Sequence, residues 1–208
     1  MYDDLHPASF PVTVWRSGLH VPVVHPRAFV HPTATLIGDV TIEEGCYIAA
    51  GAVLRGDHGE IRIERNANVQ DNCVLHGKPG HATIVSQRGH VGHGAVLHGC
   101  TIGVNALVGM NSVVLDRAIV HEDAWVGAMS LVVEGFEVPA GWLVCGSPAR
   151  LVKELSASQI AGKRESTDRY VMLGVRCGRE LRPVEARRPP GFPPPPSRNQ
   201  LLEATPVD

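Results

Sequence analysis

Residues 102–120 read Ile102-Gly103-Val104-Asn105-Ala106-Leu107-Val108-Gly109-Met110-Asn111-Ser112-Val113-Val114-Leu115-Asp116-Arg117-Ala118-Ile119-Val120. Counting by six lands on Ile102, Val108, Val114 and Val120, and then on Val126, Val132, Val138 and Val144. Counting back, one step of five reaches Leu97 and then Val91. Beyond a long break come Leu75, Val69 and Ile63, and beyond a shorter one Leu54, Ile48, Ile42, Leu36 and Val30. Each of these positions is aliphatic. Four residues after each, the side chain is usually small: Ala34, Val40, Cys46, Ala52, Ala67, Cys73, Ala95, Ala106, Ser112, Ala118, Ala124 and Ser130. A helix repeats near 3.6 residues and a strand near 2, and neither gives a beat of six. Sandwich strands recur at roughly 8–12 residues, which the beat also excludes.

The expected fold class is all-β: a left-handed parallel β-helix of hexapeptide repeats, followed by a C-terminal α-helix packed along it. Three strands of about six residues make one triangular coil, and stacked coils bury a continuous apolar ladder. The aliphatic residue is expected to fill a corner of the prism. Gly38, Gly45, Asn66, Asn72, Gly92, Asn105, Gly109 and Asn111 stand near corners, where a left-handed backbone is needed. The expected organisation is an N-terminal segment at 1–29, the β-helix at 30–149, a helical segment at 150–182 and a proline-rich tail at 183–208. Ser156 to Gln159 reads as a helix-capping box, and Ser166 or Thr167 as the start of a second helix. The tail holds eight of the sixteen prolines and reads as disordered or polyproline-like.

Composition narrows the function. A net charge of −2 over 208 residues offers no electrostatic case for nucleic acid or an anionic membrane. No stretch approaches the roughly 20 apolar residues of a membrane helix, and Met1-Tyr2-Asp3-Asp4 lacks the basic start of a secretory signal, so a cytoplasmic location is expected. Five cysteines without a CxxC pair argue against disulfides or a cysteine zinc site.

The beat is interrupted at 55–62 and at 77–90, and interruptions of a solenoid are where function concentrates. His76 follows Leu75 and His98 follows Leu97, so both occupy the same slot of a hexapeptide. Their separation of 22 equals one coil of 18 plus four, which the second loop absorbs. They are expected to stack roughly 5 Å apart, the spacing of neighbouring strands. His93 belongs to the preceding hexapeptide and therefore to another face. Three subunits around a three-fold axis would bring His93 of one toward His76 and His98 of its neighbour. Three imidazoles leave a fourth position for water, the pattern of a catalytic metal site.

Arg55-Gly56-Asp57, Gln70-Asp71-Asn72, His76-Gly77, Gly92-His93 and Leu97-His98-Gly99-Cys100, in that order, resemble the γ-class carbonic anhydrase family. The branch they resemble is the one associated with phenylacetate degradation and carnitine metabolism, over about residues 20 to 185. The resemblance implies that His76, His93 and His98 bind the metal, Zn²⁺ with Fe²⁺ or Co²⁺ as alternatives. It implies that Gln70 orients a metal-bound hydroxide, and that Arg55, Asp57 and Asp71 form subunit-bridging ion pairs beside it. The implied assembly is a homotrimer with its sites at subunit interfaces. The implied reaction is attack of that hydroxide on carbon dioxide. Hydrolysis of an acyl-CoA thioester, acyl transfer from CoA and a non-catalytic scaffold are the competing functions. The chain departs from the family where its archetypes carry an acidic proton-shuttle loop: Gly77-Lys78-Pro79-Gly80-His81-Ala82-Thr83 has no acid. His81 and His90 are the imidazoles available to move protons instead. His58 is undecided, and Tyr170 is expected to pack against the prism rather than reach the site.

Overall fold

The computed structural model describes residues 13–187 and Gly191. Its architecture is a parallel β-solenoid followed by a single helix, Ala157–Glu180. Every ladder residue from Leu36 to Val144 is at most 1% exposed, and so are most of the small residues four positions on. The ladder does not stand at the corners, however. Each aliphatic residue sits in a short strand such as Tyr47–Ile48 or Leu107–Val108, on the flat side of the prism, facing inward. The corner lies three residues later, at Gly45, Gly51, Asn66, Asn72, Gly94, Asn105 and Asn111, all with positive φ. A two-residue strand needs its side chains to alternate, so the flat face is where one residue of each pair can point inward. Gly92 and Gly109 are glycine for a different reason. A Cβ on Gly109 would lie 2.4 Å from the backbone nitrogen of Ala128 in the next coil.

The prism has three faces. A histidine face stacks Val53–Ile63, Val74–His76, Val96–His98, Val113–Val114 and Leu131–Val132 in parallel register. A helix face runs from Phe29–Val30 to Trp142–Gly146 as part of an eight-stranded sheet, and Ala149–Glu154 closes it with an antiparallel edge. The remaining face carries Thr83–Val85, Thr101–Ile102, Ile119–Val120 and Glu137–Val138. Long strands Thr35–Ile42 and Val53–Ile63 run through the corner between the first and last of these faces and join them into one twelve-stranded sheet. Strand pairing begins before residue 30: Thr13–Trp15 and Val23–Val24 both pair with Thr35–Ile42.

The helix starts at the capping box, with Ser156 accepting from Gln159 N and Gln159 returning the bond to the Ser156 backbone. It then runs unbroken through Ser166 and Thr167, without a second start. Thr167 is buried and bonds back to the Lys163 carbonyl, so it sits inside the helix rather than capping it. Tyr170 packs on Tyr47 and edge-on to His90, and Lys163 donates to the Arg88 carbonyl and to Asn105. No helix among the described residues is long and apolar enough to cross a membrane. The proline-rich tail from 188 on lies, apart from Gly191, outside the described residues.

Candidate metal centre

The two interruptions leave the prism at the same corner. Between strands Thr35–Ile42 and Val53–Ile63 the register jumps from Gly38↔Gly56 to Val40↔Ile61, so Asp57 to Glu60 bulge outward. The turn from Lys78 to His81 emerges one coil later and packs against that bulge: a Cβ on Gly59 would lie 2.7 Å from the Lys78 carbonyl. Buried Thr83 ties the corner together, donating to the His76 carbonyl at 2.5 Å and accepting from Gly99 N at 2.8 Å.

His76 and His98 are directly paired in the sheet register, as their shared slot predicts. His76 Nδ1 faces His98 Nε2 at 3.2 Å. The far nitrogen of each ring meets a carboxylate: His76 Nε2 lies 3.0 Å from Asp57, and His98 Nδ1 lies 3.0 Å from Asp116. Arg55 donates to Asp57 at 3.0 Å, and Lys78 to Asp116 at 3.1 Å. Asp57 therefore pairs within its own chain. Burial disfavours the Asp57 carboxylate, but bonds from Arg55 and His76 outweigh it and hold its pKa below the usual range. Asp116 is lowered in the same way by Lys78 and His98 against its burial. Burial, with the Arg55 and His98 charges, holds His76 below the usual imidazole pKa despite Asp57, so it is neutral at neutral pH.

His93 stands at the opposite edge of the histidine face. Its Nδ1 lies 2.8 Å from Asp71, one coil below, and both side chains are nearly half exposed. The five residues from His93 to His98 put the two edges roughly 15 Å apart at about 3.3 Å per residue. One chain does not bring the three histidines together. All three nevertheless share one arrangement: a carboxylate holds one ring nitrogen. That is how ligand histidines are oriented in metal sites.

The donor set fits a metal. Where the far nitrogens give their N–H to the carboxylates, the facing nitrogens of His76 and His98 present lone pairs to each other, a pairing that a cation between them would satisfy. Two nitrogens bound tetrahedrally at about 2.0–2.1 Å would stand about 3.3–3.4 Å apart, close to the observed separation. Asp57, His58 and His76 also bring ligand atoms within 4.8 Å of one another.

Gln70 is buried on the helix face, where its Nε2 meets Asn68 and His90. His90 is also buried, and desolvation, with the Lys163 and His93 charges, pushes it down to about 3. It is unsuited to carry protons at neutral pH. His58 is exposed, its ring 5.8 Å from that of His76. Cys46, Cys73 and Cys100 are buried thiols pushed up to about 12, 11 and 12, too inert for nucleophilic chemistry. Asp116 is the residue that sequence reasoning missed. It stands 18 residues after His98, one coil further on, and that spacing was the available signal.

Known proteins agree with this fold. A model of the bacterial transferase hexapeptide (six repeats) matches residues 22–56. The carnitine operon protein CaiE of Salmonella agona (strain SL483) is 47% identical over 175 residues, covering 81% of this chain and 88% of that protein. The chain belongs to the CaiE family of hexapeptide-repeat proteins. CaiE of Proteus sp. (strain LE138) is 50% identical over 161 residues, 77% of this chain and 82% of that one. Among solved structures, a hexapeptide transferase family protein from Anaplasma phagocytophilum is 35% identical with a TM-score of 0.75, covering 78% of this chain and 96% of that one. A Bacillus cereus protein described as a putative acetyltransferase is 34% identical with a TM-score of 0.79, covering 80% and 97%.

Proposed function

We propose that this CaiE-family chain hydrates carbon dioxide to bicarbonate at a divalent-metal site shared between copies of the chain in a homotrimer. The observation that carries the reading is the common arrangement of His76, His93 and His98, each held by an aspartate through one ring nitrogen, with the second nitrogens of His76 and His98 turned toward each other. His76 and His98 would hold the metal from one copy and His93 from the next; Zn²⁺ suits three imidazoles, as would Fe²⁺ or Co²⁺. When bound, the metal supplies a water acidic enough to give hydroxide at neutral pH. Asp57 and Asp116 keep the rings in the ligating tautomer, and Arg55 and Lys78 keep those carboxylates ionised.

The outer surface of the histidine face supports assembly through that face. Val53, Val74, Val96, Val113 and Leu131 form an outward ladder, with Val74 40% and Val96 36% exposed. Exposed Met110 and Met129 flank it on the His93 edge. A contiguous apolar strip between two half-sites is what a subunit interface would cover.

The test is metal analysis followed by stopped-flow hydration. A divalent metal in near-stoichiometric amount and a hydration rate abolished by chelation are expected. A metal-free protein, or hydration no faster than buffer with metal bound, overturns the reading. Acyl transfer is the second reading, favoured by the two transferase descriptions among the similar structures. Release of CoA thiol on addition of an amine or alcohol acceptor, without metal, would establish it. Release by water alone, requiring metal, would mark a thioesterase.

A further inference from the structure

A closed polar cluster lies on the helix face, one residue from the His93 corner. Asn68, Gln70 and His90 are 0%, 2% and 9% exposed. Gln70 Nε2 donates to Asn68 Oδ1 at 3.1 Å and stands 2.6 Å from His90 Nε2. Tyr170 of the helix covers the imidazole edge-on, with ring centroids 5.2 Å apart.

A carboxamide nitrogen has two hydrogens and no acceptor capacity. One hydrogen goes to Asn68, so the other is what meets His90 Nε2 at 2.6 Å. The Asn68 amide nitrogen faces His90 Nδ1 at 3.4 Å, so both ring nitrogens meet donors and the much shorter contact, at Nε2, is the one that must be accepted. A proton on that nitrogen would set two donors against each other at 2.6 Å. Both Gln70 hydrogens are thus used inside the protein. Its Oε1 has no donor among the described residues and is not sealed from solvent. The next residue, Asp71, holds His93, so Gln70 stands one residue along the chain from that corner.

We propose that His90 is a positioning residue: by accepting from Gln70 it fixes the carboxamide with its carbonyl oxygen outward, as an acceptor for a water at the metal corner. This rests on the reading under Proposed function. An acceptor there takes the O–H of a reacting water and leaves that oxygen's lone pair free to attack carbon. An amide turned the other way would donate to the lone pair and oppose attack. The groups that face His90 favour its uncharged form. Lys163 and Tyr170 come from the helix, Asn68 and Gln70 from the coil below, and His93 from its own coil, and none is a carboxylate.

Nitrogen NMR of the labelled full chain, with neither metal nor substrate, tests the orientation. His90 carrying its proton on Nδ1, bare at Nε2 and unchanged from pH 6 to 8, is expected. A proton on Nε2, or titration like a free imidazole, overturns the proposal. In hydration assays His90→Leu is expected to lower kcat about 10-fold at unchanged metal content, with His90→Gln, which offers an acceptor oxygen, recovering most of it. Full turnover in His90→Leu also overturns the proposal. Absence of hydration by the wild-type protein would instead sink the carbon dioxide reading, with the NMR result still deciding how Gln70 is held.

Discussion

At the residue scale, His98 shows how much of the centre depends on groups that are not ligands. Asp116 takes its Nδ1–H and Lys78 keeps Asp116 charged. Asp116→Asn preserves shape but removes the charge and can present N–H to Nδ1. Metal affinity is expected to fall about 10–100-fold, as for other orienting carboxylates, read by competition with a chelating dye. A second prediction concerns His90. Its pKa in the folded chain is about 3 against an ordinary 6.5, so the unfolded chain takes up the proton first. Its contribution to stability is whole above about pH 6.5 and is lost as pH falls toward 3, a loss on the order of 5 kcal/mol. Urea unfolding across that range should show a steeper acid decline for wild type than for His90→Gln. Equal declines would mean that His90 is solvated.

At the scale of the coil, the sequence beat was legible because burial enforces it. Ile102, Val108 and Val114 line one narrow core, and a polar residue at any of them would be stranded there. The corner was misplaced because sequence shows which residue is apolar, not where the strand bends. Asn105, Asn111 and Asp123 carry that information three residues on, through their positive φ, yet Arg117 and Met129 occupy the same left-handed slot without any sequence signature. Glycines divide in a similar way. At Gly109 a side chain meets the next coil's backbone; at Gly135 it meets nothing within 4 Å, and only a φ of +68° opposes it. Gly109→Ala is expected to cost about 3 kcal/mol and Gly135→Ala about 1 kcal/mol in thermal or urea unfolding. Equal costs would show that conformation, not space, governs the corners.

At the scale of the whole molecule, the slot shared by His76 and His98 could be read from their spacing, because stacking in a solenoid is set by chain length per coil. Gln70's contacts could not, since they depend on which residues of neighbouring coils turn outward under the helix. The wide separation of His93 from the other pair follows from the faces they stand on, and under the proposed function it requires a second copy of the chain to complete the site. Val96→Glu puts a charge in the centre of the apolar ladder between Val74 and Val113. Sedimentation is expected to show a monomer that has lost its metal while keeping the native circular dichroism of the solenoid. A trimer that tolerates the substitution would place the interface elsewhere. The most direct measurement uses two inactive proteins, His93→Ala and His98→Ala, unfolded together in equal amounts and refolded as mixed trimers. If each site draws His93 from one chain and His76 and His98 from its neighbour, every mixed trimer regains one intact site, and about a quarter of the wild-type metal content returns. If the mixture binds no more metal than either variant alone, the site is not shared between chains and the account is wrong.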